Sequence, residues 1–168
     1  MTGVTTSTIA DFSAKAAGYR ELDRMLAALL AGETDTIANL ANAAALIFAQ
    51  VPDLNWAGFY LARGNELVLG PFQGKPACVR IPVGRGVCGT AAERRRSIVV
   101  PDVHVFPGHI ACDGASNAEI VVPLLRAQEL VGVLDLDSPS RGRFDDVDRE
   151  GLERLAATIL ESLQTGSR

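Results

Sequence analysis

NWAGFYLARGNELVLGPF, residues 55–72, is the stretch from which the fold is read. Trp56, Gly58 and Tyr60 alternate with Ala57, Phe59 and Leu61, the two-residue period of a strand with two distinct faces. Arg63-Gly64-Asn65 is a turn, and Glu66–Leu69 returns beside the first strand as a hairpin. Towards the N-terminus, Phe12, Ala16, Tyr19, Leu22, Leu26 and Leu30 fall near helical spacing, and Gly32 closes that helix. Thr34 or Asp35 then caps a second helix, TDTIANLANAAALIFAQ, which ends at Val51-Pro52-Asp53. Its apolar side (Ile37, Leu40, Ala44, Ile47, Phe48) calls for a sheet or a partner helix.

Towards the C-terminus a short strand over Ala77–Ile81 precedes a short helix, Gly86–Arg94, and a strand, Ser97–Val100. A loop from Pro101 to about Asn117 has no clear period. Strands Glu119–Leu125 and Glu129–Asp137 are joined by the tight turn Arg126-Ala127-Gln128. A last helix runs from Asp145 to about Leu163, with Asp145, Asp146 and Asp148 suited to its dipole. The expectation is an α+β domain, a mostly antiparallel central sheet with helices packed on one side.

At 168 residues the chain fits one domain with its own core, and 48% hydrophobic with 21% charged residues excludes wholesale disorder. The net charge of −4 disfavours nucleic acid and anionic membranes as partners. Arg94-Arg95-Arg96, the one basic run, reads as a solvated helix end. The first residues lack a basic segment followed by an apolar one, and no apolar run approaches the ~20 residues that span a bilayer. A cytoplasmic location is expected, where thiols stay reduced unless their chemistry is catalytic.

All three cysteines and both histidines lie between Cys78 and Cys112. Cys88 sits at a helix start, where the dipole favours thiolate over thiol. Cys112 lies in the long loop near His109, among the small residues Ala111, Gly114 and Ala115. Each cysteine alone reads as a buried apolar thiol; the set, inside one polar window, reads as a redox site. Gly84-Arg-Gly86-Val-Cys88-Gly89 matches GxGxxG, but the helix after it is too short for a dinucleotide site. Its remaining content is a helix start whose N–H groups can seat a carboxylate. Zinc is the rival for the cysteines with His104 and His109, yet no close cysteine pair of the CxxC kind exists, so no metal is expected. The histidines read as surface or satisfied loop residues.

Asp135 and Asp137 leave the same face of an apolar strand, where carboxylates are costly unless wet or paired with a cation. With Glu119 from the neighbouring strand they can hold a ligand ammonium. Trp56 and Tyr60, on one strand face, can form the apolar wall of that pocket.

Together these residues resemble the free methionine-(R)-sulfoxide reductases, single-domain proteins of the GAF fold. The likeness runs from about Tyr19 to Leu160. It is strongest in NWAGFYL, GPFQGKPACVRIPVGRGVCG, VPDVHVFPGHIACDGASNAEIVVPL and GVLDLDSPSRGRFDDVD. It implies an N-terminal extension over 1–18 and a single GAF domain over 19–168. It also implies reduction of the free amino acid methionine-(R)-sulfoxide with thioredoxin as reductant, no metal or organic cofactor, and a homodimer joined through the helices before Pro52. By resemblance Cys112 is the nucleophile and is left as a sulfenic acid, Cys78 closes the disulfide and Cys88 is a second recycling thiol. An exchange of roles between Cys88 and Cys112 stays open. Glu119, Asp135 and Asp137 would hold the ammonium and act on the sulfoxide oxygen, while Trp56 shelters the methyl group and Tyr60 lines the same wall. The competing reading is a non-catalytic GAF sensor, which normally accompanies an output domain that this chain lacks.

Overall fold

The computed structural model describes Phe12, residues 14–110 and residues 114–164. Two helices, α1 (Lys15–Leu30) and α2 (Thr36–Gln50), lead into strands β1 (Trp56–Arg63), β2 (Glu66–Gly74) and β3 (Arg80–Pro82). Helix α3 (Gly86–Arg94) and strand β4 (Ile98–Val100) follow. A single 3-10 turn, Val103–Val105, precedes β5 (Ala118–Arg126), β6 (Glu129–Ser138) and α4 (Asp146–Gln164). The six strands form one sheet in the order β3-β2-β1-β6-β5-β4, and every neighbouring pair is antiparallel.

The strand period sorts residues onto two faces, each with its own apolar cluster. Ala57 and Phe59, Ile120, Val122 and Leu124, and Leu134 and Leu136 face α1, α2 and α4 and form the larger core. Trp56, Tyr60, Val121 and Val133 face the other way, under Val87, Ala91 and Ala92 of α3. Three helices therefore share one side, while the inserted α3 roofs the opposite face, with the candidate site beneath it.

Asp35 caps α2 by accepting from the Ala38 N–H. The last helix starts in a reciprocal box: the Asp145 N–H donates to Asp148 Oδ2, and the Asp148 N–H to Asp145 Oδ1. Asp148 is fully buried and also accepts from Lys15 Nζ, the Tyr19 hydroxyl and Arg143 Nη1. This carboxylate ties α1 to α4, and α1 starts at Lys15, ahead of the domain start expected at residue 19.

The strand β2 runs five residues past its expected end at Leu69. Gly58 pairs with Phe72 and Tyr60 with Leu69, so β2 carries a bulge there, and Pro71, which cannot donate to a ladder, falls inside it. The third strand lies later than expected, because only Arg80, Ile81 and Pro82 reach the β2 edge in register. Arg94, Arg95 and Arg96 are exposed at the end of α3, as the solvated-end reading has it.

Candidate functional site

The site grows from the register of four strands. Trp56 pairs with Asp137, Asp137 with Glu119, and Glu119 with Val100, so an indole and two carboxylates stand in one row across one face. In the next row Asp135 pairs with Gly58 on β1 and with Val121 on β5. Strand alternation, read from the sequence for Asp135 and Asp137, thus places three acids and the β1 aromatics on a common surface.

Gly58, between Trp56 and Tyr60, is a functional position that the sequence reading missed. A Cβ there would lie 2.3 Å from Phe72 Cβ and 2.8 Å from the Trp56 ring, so the rings need the bare backbone. Trp56 stacks on Phe72 with centroids 5.3 Å apart and on Tyr60 at 5.9 Å. Trp56 Nε1 donates to the Lys75 carbonyl at 3.1 Å, and the Tyr60 hydroxyl donates to the Cys78 carbonyl at 3.0 Å. The aromatic wall is thereby tied to the segment that carries Cys78, which is half-buried beside it. The signal available in advance was a glycine between two aromatics on one strand face.

The first turn of α3 closes the pocket from above. Trp56, Tyr60, Cys88, Glu119, Asp135 and Asp137 all line it, together with Gly86, Val87, His109 and Ser116. It encloses about 520 Å³ of space free of atoms, the open solvent at its mouth included. Among the described residues that line it there is no arginine or lysine. Arg85, at the cap position of α3, makes no side-chain cap bond, so that helix start faces the pocket without a carboxylate of its own. The GxGxxG glycines serve local packing: a Cβ on Gly89 would lie 2.4 Å from the Pro82 carbonyl oxygen.

Electrostatics in the pocket follow from burial. Glu119 and Asp135 are 7% and 6% exposed. Desolvation pushes the Glu119 carboxyl well above the usual carboxylate range, and the charge of Asp135 adds to this. Desolvation raises Asp135 to about 7, against hydrogen bonds from Cys88 and Glu119 that pull it back. Cys88 corrects the sequence reading. Burial pushes its thiol well up, and Asp135 and Glu119 push it further. These outweigh the helix-start dipole expected to favour thiolate, a modest and easily screened effect. Its Sγ lies 3.8 Å from Glu119 Oε1.

The two histidines part company. His104 Nε2 pairs with Asn117 Oδ1 at 2.9 Å, the satisfied loop residue expected. His109 lies in the pocket wall with Nε2 3.9 Å from Glu119 Oε2. It sits in a loop without periodicity, so no sequence pattern could have placed it. Cys112, with its role as nucleophile, lies outside the described residues.

The model of the GAF domain family matches residues 26–163. The chain is 57% identical over 147 residues to the free methionine-R-sulfoxide reductase of Escherichia coli, covering 88% of this chain and 89% of that protein. It is 48% identical to the enzyme of that name from Saccharomyces cerevisiae, covering 78% and 77%. Among solved structures, the free methionine-R-sulfoxide reductase of Neisseria meningitidis in complex with its substrate superposes with a TM-score of 0.90. It shares 43% identity and covers 99% of this chain and 98% of that one. Those likenesses, over nearly the whole length, settle the family: the chain is a GAF-domain protein and belongs to the free methionine-R-sulfoxide reductases.

Proposed function

We propose that the chain reduces free methionine-(R)-sulfoxide to methionine with its own thiols and is recycled by thioredoxin. The observation that carries this is a single pocket holding three carboxylates, an aromatic wall and a thiol. Such a seat suits an ammonium group. A methionine sulfoxide inside a peptide has no ammonium there, which is why the free amino acid is the substrate. The uncapped start of α3 offers N–H groups to the substrate carboxylate.

Cys112 attacks the sulfoxide sulfur as thiolate while Glu119 gives its proton to the sulfoxide oxygen. The oxygen then passes from that sulfur to the Cys112 sulfur, the S–S bond made by the attack breaks with its electron pair left on the substrate sulfur, and methionine leaves, with Cys112 a sulfenic acid. Cys78 then displaces that oxygen as water and forms a disulfide, which thioredoxin reduces. One sulfoxide and two thiols thus become one thioether, one disulfide and one water. The raised carboxyl of Glu119 supports the acid role, since it keeps a proton to give at neutral pH. The raised thiol of Cys88 supports Cys112 over Cys88 as attacker. Cys78 stands in this structure as half of a disulfide and Cys88 as a free thiol, a division that also favours Cys88 in the lesser role. Two thiols carry both electrons, so the reading calls for no metal or organic cofactor.

A homodimer, if formed through α1 and α2, must use their outer surfaces. Their apolar sides (Leu22, Leu26, Leu40, Ile47) are buried in the core they share with α4 and the sheet. No helix among the described residues is long and apolar enough to cross a membrane. The deciding experiment follows NADPH oxidation through thioredoxin and its reductase, with each sulfoxide epimer offered free and peptide-bound. Turnover confined to the free R epimer is expected. Equal turnover of a peptide-bound substrate would remove the ammonium seat, and with it the reading.

A further inference from the structure

Three buried groups that line the pocket are a thiol and two carboxylates. One donor atom from each of Cys88, Glu119 and Asp135 lies within 4.8 Å of the others, and all three residues are buried. Cys88 Sγ and Glu119 Oε1 are 3.8 Å apart. Donors held at ~2.3 and ~2.1 Å by a tetrahedral zinc stand ~3.6 Å apart, so this spacing is already that of a coordination sphere. Acids and a thiol alone would be a proton-sharing cluster. What points to a ligand is Asp135, which lines the pocket, is 6% exposed, and leaves its buried Oδ1 without a hydrogen-bond partner.

We propose that Cys88, Glu119 and Asp135 bind one thiophilic divalent cation of the zinc and cadmium kind, in the seat otherwise taken by the substrate ammonium. The sulfur donor selects against magnesium and calcium, which take oxygen alone. Three protein donors with a fourth position towards the mouth make an exchangeable rather than a structural site. Cation and sulfoxide then exclude one another, which makes the reductase sensitive to zinc. Only this exclusion, and not the cation site, rests on the reductase reading.

The test removes the other two of the three cysteines with Cys78→Ser and Cys112→Ser, so that any thiolate-to-metal absorption arises from Cys88. Cadmium titration of that double variant is expected to show an ultraviolet charge-transfer band saturating at one equivalent. Adding Cys88→Ala abolishes the band, and Asp135→Asn or Glu119→Gln weakens binding at least ~10-fold, the scale at which losses around a metal site register. Melting curves of each variant separate a lost donor from a lost fold. No band in the double variant, or a cadmium affinity indifferent to both carboxylate changes, overturns the site. Free methionine-(R)-sulfoxide is expected to raise the apparent Kd of cadmium in the same protein. A chain that binds sulfoxide by calorimetry but no cadmium sinks the cation site alone; one that binds cadmium but no sulfoxide sinks the reductase reading alone.

Discussion

Glu119 and Asp135 meet in one pocket and are set to different tasks by their surroundings. Glu119 is held protonated by desolvation and by the Asp135 charge beside it. Asp135, at about 7, can lose its proton to solvent as an ammonium arrives to pair with the carboxylate. Glu119→Gln keeps the shape but not the proton, so kcat should fall ~10²–10⁴-fold, the usual worth of a positioned acid, with KM changing much less. Stopped-flow measurement of the first turnover checks this, and an unchanged first turnover would move the acid role elsewhere. Cys112→Ser should abolish that first turnover, whereas Cys88→Ser should leave it within a few-fold. Abolition by Cys88→Ser alone would exchange the two roles. The three acids were legible in advance, because strand alternation and neighbouring strands need only local spacing. The protonation of Cys88 was not legible: the dipole of its own helix is local, but the carboxylates that oppose it come from β5 and β6.

At the scale of elements, β1 is shaped as much by what it lacks as by what it carries. Gly58→Ala should cost ~1–3 kcal/mol, since the new methyl meets Phe72 and the Trp56 ring with nowhere to go. It should also raise KM for the sulfoxide, because Trp56 is displaced from the pocket wall; urea denaturation and steady-state kinetics read the two effects. The β5–β6 turn offers the opposite case. Ala127 and Gln128 both have positive φ, 46° and 71°, in a two-residue loop closed by the Arg126–Glu129 pair. That geometry favours Asn-Gly, and Ala127→Asn with Gln128→Gly should stabilise the protein by roughly 1 kcal/mol. A lower urea midpoint in the double variant would refute it. Hairpins and helix caps were readable from turn residues and periodicity. The extra length of β2 and the side taken by α3 were not, because a bulge partner and a second sheet face exist only once distant strands have paired.

Across the whole molecule, two acid clusters on opposite faces of the sheet titrate with opposite sign. Lys15 beside Asp145 holds that carboxyl down to about 2. Its contribution to stability is complete above an unfolded-chain pKa of ~3.9 and is lost as pH falls through about 2. Asp135 runs the other way. At about 7 when folded and ~3.9 when unfolded, it keeps a proton in the folded state that the unfolded chain has lost, so stability declines as pH rises from ~4 through ~7. Glu119, raised by the same burial, adds to that decline. The ligand-free protein should therefore be most stable near pH ~4–5, on the acid side of the usual optimum. Asp135→Asn should flatten the neutral limb, raising Tm by several degrees at pH ~8 and by nothing at pH ~4. Saturating methionine should restore the wild type at pH ~8, because its ammonium compensates the charge that folding otherwise leaves buried. Differential scanning calorimetry across that range, with and without methionine, reads all three effects. A Tm for Asp135→Asn below that of the wild type at pH ~8 would show the carboxylate already compensated within the chain, and the pocket would lose its reason to take a cation.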